Sequence, residues 1–196
     1  AEAGGIPKLC ELLRYGAVLT AQETATGALH RLASNARNRG LIADADGISL
    51  LIPLFDGGSA QTKQHVNDAL LAVTQDNSSN QFLVTQGLVS MLASGPEDAH
   101  EAQTPQQISR VEAQTHCTQV LHTMSLDRDN RDAFSRTGTV VQLVRQLKSG
   151  SEQAQTLASD ALSKFKDELR PACSTNMKAY DKTCELIDTL CAFLKS

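Results

Sequence analysis

The sequence predicts an all-α fold, a right-handed α-solenoid of about four three-helix repeats with a C-terminal capping helix. Three recurrent patterns carry that prediction. A small-residue turn runs into a short apolar segment four times: Gly4-Gly5-Ile6-Pro7, Asp46-Gly47-Ile48, Gln86-Gly87-Leu88 and Thr137-Gly138-Thr139-Val140. Each copy is followed by an Ala/Val-Leu pair on a longer apolar stripe: Ala28-Leu29, Ala69-Leu70, Val120-Leu121 and Ala161-Leu162. An Asn with a large apolar residue four positions later links one unit to the next, at Asn38, Asn80 and Asn130.

The elements follow in order within each unit. The turn glycines are expected to take positive φ, which costs glycine little, so Gly5→Val and Gly47→Val are expected to destabilise the fold. The short apolar run after each turn is the second helix of a unit. The longer stripe is the third. Ala25, Val66, Cys117 and Ala158 precede the Ala/Val positions by three, and offsets of three, four and seven share one helical face. The Asn segment is the short first helix of the next unit. The array spans residues 1–170, with repeats at about 1–43, 44–85, 86–136 and 137–170. An acidic stretch with two prolines, about 95–107, is expected to be an exposed insertion between the second and third helices of the third repeat. Pro171 is expected to end the fourth long helix near Leu169 or Arg170. Beyond it Met177, Tyr180, Cys184, Ile187, Cys191 and Leu194 form a heptad-like stripe, read as a capping helix within 171–196. Residue 1 falls inside a repeat phrase, so the chain is read as a monomeric piece of a longer protein.

Composition narrows the function classes. Aromatic residues are 4% with no Trp, which suits helix packing by Leu, Val and Ala. The formal net charge is -4 with acids and bases mixed along the chain, a poor match to a surface built for phosphate contacts, so no nucleic-acid partner is expected. No apolar run reaches the roughly 20 residues of a membrane span, and no membrane partner is expected. The five cysteines lack C-x-x-C spacing and are read as reduced thiols of a cytoplasmic protein, with the nucleus as the other compartment.

The phrase Gly4-Gly5-Ile6-Pro7 with Leu9, Leu12 and Leu13, then Ala28-Leu29 with Leu32-Ala33 and Asn38-Arg39, resembles the armadillo repeat. The resemblance covers about residues 1–165 and implies a protein-binding solenoid whose long third helices line a concave groove. Importin-α-type arrays of that family carry Trp and Asn on each long helix at W-x-x-x-N spacing. Here the Trp-equivalent positions hold Gly27, Asp68, Gln119 and Asp160, and the Asn-equivalent positions hold Arg31, Ala72, Thr123 and Lys164. Classical nuclear-import signals therefore lack their usual receptor groups. The resemblance and the helix alignment give the candidate partner-binding residues as Arg31, Gln64, Asp68, Thr115, Gln119, Thr123, Asp160 and Lys164. Basic positions at both ends with acids between imply a protein or extended-peptide partner of mixed charge.

Chemistry finds little footing. There is no G-x-S-x-G, phosphate loop, H-E-x-x-H or dinucleotide turn, so no enzyme activity, cofactor or catalytic residue is expected. His116, Cys117 and His122 point about 100° and 240° apart on one helix and do not converge on a metal ion. Cys184 and Cys191 are two turns apart, too far to bridge on one helix. The reading is a scaffold or adaptor module. The two alternatives are a targeting module of a multidomain enzyme such as a ubiquitin ligase, and an oligomerising component of a cytoskeletal or axonemal assembly.

Overall fold

The computed structural model describes residues 4–15, 18–95, 99, 102 and 104–172, the side chains of Arg131 and residues 165–172 excepted. The stripe from Met177 to Leu194, with Cys173, Cys184 and Cys191, lies outside the described residues, as does much of the acidic insertion. Every element among the described residues is helical. In chain order they are α1 (Gly5–Tyr15), α2 (Leu19–Ala33), α3 (Ala36–Asp44), α4 (Gly47–Leu51) continued by a 3-10 turn (Ile52–Phe55), and α5 (Ala60–Thr74). Then come α6 (Ser78–Ser94), α7 (Pro105–Ser125), a 3-10 turn (Arg128–Asn130), α8 (Arg131–Thr137), α9 (Thr139–Ser149) and α10 (Glu152–Ala172).

The long helices α2, α5, α7 and α10 stack side by side, each packed on the next. Ala25, Leu29, Val66, Ala69, Leu70, Cys117, Val120, Leu121, Ala158, Ala161 and Leu162 are completely buried along this row. These are positions of the apolar stripe. The small residues let neighbouring helices approach while the leucines fill the layer between them, as close packing of a stacked array requires.

The Asn segments form a repeated latch. Asn38 donates through Nδ2 to the Leu32 carbonyl (2.9 Å), Asn80 to the Val73 carbonyl (2.9 Å) and Asn130 to the Met124 carbonyl (3.0 Å). Each thus adds a side-chain donor to a carbonyl near the C-terminus of the preceding long helix, where intrahelical donors become scarce. Three residues upstream, Asn35 and Asn77 cap α3 and α6 through their side chains, and the Asp127 carboxylate accepts from the Asp129 amide. Buried Arg39 adds a tie between units: it donates to the Ala33 carbonyl (3.1 Å) and to both the backbone and side-chain oxygens of Gln75 (2.7 and 2.9 Å).

The corners differ from the sequence expectation. At these corners the left-handed residues are Gly4 (φ 69°), Asp46 (φ 59°) and Gly138 (φ 72°), one position before the residue that opens each second helix. Gly5 and Gly47 are themselves helical. A Cβ placed on Gly5 would have no neighbour within 4 Å, so neither backbone nor space requires glycine there. Gly47 does require it, for a steric reason: a Cβ would lie 2.6 Å from Ile42 Cγ2 and 2.7 Å from the Ile42 carbonyl oxygen.

Gly87 makes no corner at all. α6 runs unbroken from Ser78 to Ser94, so the first and second helices of that unit are one rod. Gly87 faces Ile52 of the preceding unit, and a Cβ there would collide with Ile52 Cδ1. Two further boundaries move. α7 begins at Pro105, inside the acidic stretch, because proline suits the first helical position and Thr104 and Gln107 close a capping box ahead of it. α10 continues through Pro171 to Ala172, two or three residues past the expected stop, since proline in a last turn forfeits only one backbone bond.

Candidate functional site

The eight candidate residues lie on the four long helices: Arg31 on α2, Gln64 and Asp68 on α5, Thr115, Gln119 and Thr123 on α7, and Asp160 and Lys164 on α10. Arg31, Gln64, Asp160 and Lys164 are exposed, and the other four are half-buried. The apolar residues of each helix are turned inward, which leaves these polar positions on the accessible side of the row.

They fall into three groups by contact. At the α10 end, His122 of α7 meets Asp160 across the helix interface, Nε2 to Oδ2 at 2.6 Å, and Lys164 approaches the other carboxylate oxygen at 3.8 Å. Asp160 is thus shared between a neighbouring helix and its own next turn. In the middle, Asp68 accepts from Gln64 (2.9 Å) and Asn67 (3.2 Å), so its carboxylate is held on the α5 surface. Thr115 donates to the Val111 carbonyl (2.9 Å) and lies 2.8 Å from the Ser151 hydroxyl, while Thr123 donates back to the Gln119 carbonyl (3.0 Å). At the α2 end Arg31 is exposed, on the last turn of its helix.

The positions that hold Trp in importin-α-type arrays are filled differently from each other. Gly27 leaves a gap on α2, and the His65 ring of α5 occupies it, with Cε1 3.0 Å from where a glycine Cβ would stand. A ring therefore sits beside the Trp-equivalent site, supplied by the neighbouring helix. Sequence alignment of the units could not show this, because His65 precedes its own unit's equivalent position by three.

Below this row a set of ties fixes helix spacing. Ser59 donates to Glu23 (2.9 Å), joining α2 and the start of α5. Lys63, almost fully buried, pairs with Glu112 of α7 at 2.9 Å. His116 stacks on Phe55 with ring centroids 5.4 Å apart. Burial lowers the His116 pKa below the ordinary imidazole value, with the Lys63 ammonium adding to the effect and Glu112 opposing it. Cys117 is wholly buried, its thiol pKa raised by desolvation, with its sulfur 3.4 Å from Met91 sulfur. Cys10 is likewise pushed up by burial, Arg14 opposing and Asp46 assisting. Both are buried free thiols, and burial suppresses thiolate chemistry. Among the described residues no three His, Cys, Asp or Glu side chains are grouped to hold a metal ion, and no helix is long and apolar enough to cross a membrane.

No family model matches the chain and no curated protein matches it. Among solved structures it is similar to a designed armadillo repeat protein, YIII(Dq.V1)4CPAF, in complex with the peptide (KR)4. The likeness has a TM-score of 0.53 at 17% identity and covers 96% of this chain and 82% of that one. At that identity the likeness speaks for the fold alone, and the fold is an all-α solenoid of armadillo type.

Proposed function

We propose that the chain is a protein-interaction module that holds a protein segment or extended peptide of mixed charge along its row of long helices. The observation that carries this reading is the set of exposed and half-buried polar side chains on α2, α5, α7 and α10, laid on an armadillo-type fold. A partner carboxylate fits Arg31, which is exposed at the end of α2. Lys164 supplies the second cation, since its 3.8 Å approach to exposed Asp160 is a weak surface pair that a partner can replace. Asp68 and Gln119 lie between them and suit a basic or amide side chain. The designed neighbour carries (KR)4, a purely basic peptide, whereas the candidate row here sets two cations beside two carboxylates and suits a ligand of both signs. We assign no catalytic residue, and the buried free thiols fit a reducing compartment such as the cytoplasm.

The test is selection of peptides on the wild-type chain from a displayed library, followed by charge reversal. Arg31→Glu with Lys164→Glu leaves the melting temperature unchanged and weakens the selected peptides at least tenfold. Unchanged affinity in the folded double variant would remove the groove from consideration.

A further inference from the structure

We propose that the cleft between α1 and α3 is a docking pocket for a partner segment that carries an arginine or lysine beside an apolar side chain. The cleft has a volume of about 560 Å³, within the range of pockets that hold small ligands. Ile6, Pro7 and Cys10 of α1 and Leu41 of α3 give it an apolar floor and wall, in which Ile6 and Cys10 are buried and Leu41 is 40% exposed. Glu11, Arg14, Asp44 and Asp46 line it as well. Arg14 is bound to Asp46 at 3.2 Å, so its charge is already matched. Glu11 and Asp44 are exposed, and among the described residues neither carboxylate has a hydrogen-bond or ion-pair partner. Three carboxylates against one guanidinium leave the cleft acidic over an apolar floor.

The next seam repeats the cleft without the charge. Ile6, Cys10 and Leu41 correspond to Ile48, Ile52 and Leu83, which line a smaller cleft of about 310 Å³ between α4, its 3-10 continuation and α6. In the same register Glu11 becomes Pro53 and Asp44 becomes Gln86. The larger Ile52 in place of Cys10 fits the smaller volume, and its side chain presses on Gly87 there. The cleft is thus a property of the repeat, whereas the extra room and the two unpaired carboxylates belong to the first seam and not to the second. Charge complementarity selects the occupant. A cation on an alkyl stem can lay the stem over Leu41 and Ile6 and turn its head toward Glu11 and Asp44. An acidic or neutral occupant would leave both carboxylates unmatched. None of the eight candidate residues of the long helices lines this cleft, so it stands apart from the row described above.

Amide chemical-shift titration of the isotope-labelled full chain tests this, with acetyl-Leu-Arg-Leu-amide and acetyl-Leu-Glu-Leu-amide as probes. The arginine peptide is expected to shift amides within 6–14 and 41–46 saturably at millimolar concentration, and the glutamate peptide to leave them in place. Glu11→Gln with Asp44→Asn is expected to keep Tm and to weaken the arginine peptide about fivefold. Asp68→Asn, in the row of long helices, is expected to leave its affinity unchanged. No saturable shift at the cleft, equal shifts from the glutamate peptide, or unchanged affinity in the folded Glu11→Gln, Asp44→Asn variant overturns the proposal. An affinity that Asp68→Asn lowers as much also overturns it, because the peptide then belongs to the row of long helices and not to the cleft.

Discussion

The corner at Asp46 and the straight rod at Gly87 grow from nearly the same phrase. Each has a latching Asn upstream and a glycine that opens an apolar run. In the first, α3 stops at Asp44, two residues lie outside helix, and α4 starts at Gly47. In the second, α6 passes through Gly87 with none outside. The spacing from latch to opening glycine explains the difference. Asn38 to Gly47 is nine residues and Asn80 to Gly87 is seven, so the first unit has two more residues in which to bend. Residues outside helix between the paired elements number two, none and one. The Asn latch survives all three cases, and Gly47 and Gly87 both stay pressed against an isoleucine. The corner is therefore the adjustable part and the latch the fixed one.

If corners adjust while the close contact behind a glycine does not, the largest effect belongs to Gly47→Ala. The new methyl meets the Ile42 carbonyl, which is backbone and cannot rotate away. A loss of about 3 kcal/mol is expected, read as a lower denaturant midpoint with unchanged slope. A neutral result would mean that the Asp46 corner yields as a unit, and the distinction between fixed and adjustable parts would fail.

Asn80→Ala tests the latch and comes next. Asn80 donates to two buried carbonyls, Val73 within its own junction and Arg39 in the preceding one (3.1 Å). Removing it takes a donor from each, at about 2 kcal/mol. Asn130→Ala removes one donor from one carbonyl, that of Met124, which keeps the Asp127 amide at 3.2 Å, and should cost about half as much by the same denaturation measurement. Equal losses would show that the link between junctions adds nothing.

Much of the fold was legible because a repeat states its own rules several times. The Ala/Val-Leu stripe located four long helices, and its residues proved buried apart from Ala28, which is half-buried. The missing corner was also written in the sequence, in the seven-residue spacing from Asn80 to Gly87, but a glycine before an apolar run outweighed it. The left-handed residue was misplaced by one because Asp46 tolerates that conformation and glycine is its usual occupant. The eight candidate residues came from the resemblance and the alignment of the long helices, and four of them are exposed and four half-buried. What the alignment could not supply was their partners. Glu23 with Ser59 and Thr115 with Ser151 both pair at a separation of 36 residues, whereas Lys63 with Glu112 pairs at 49 because the acidic insertion lies between. Pairings such as His122 with Asp160 depend on side-chain reach across a layer, which a linear pattern does not encode.

The smallest effect, and the sharpest contrast with Gly47, belongs to Gly87→Ala. Both glycines face an isoleucine at close range, but the obstacle at Gly87 is Ile52 Cδ1, the tip of a side chain that can change rotamer. Ile52 is buried against the next unit, so moving its tip costs packing, on the order of 1 kcal/mol. Alanine also replaces glycine in the interior of a continuous helix, which returns about 1 kcal/mol. The two contributions oppose each other, and a net change below about 1 kcal/mol is expected in the same denaturation series. A loss as large as that of Gly47→Ala would mean that Ile52 has no alternative rotamer. The straight rod would then be held as tightly as the corner, and the two-residue difference in spacing would have removed the bend without loosening the contact it serves.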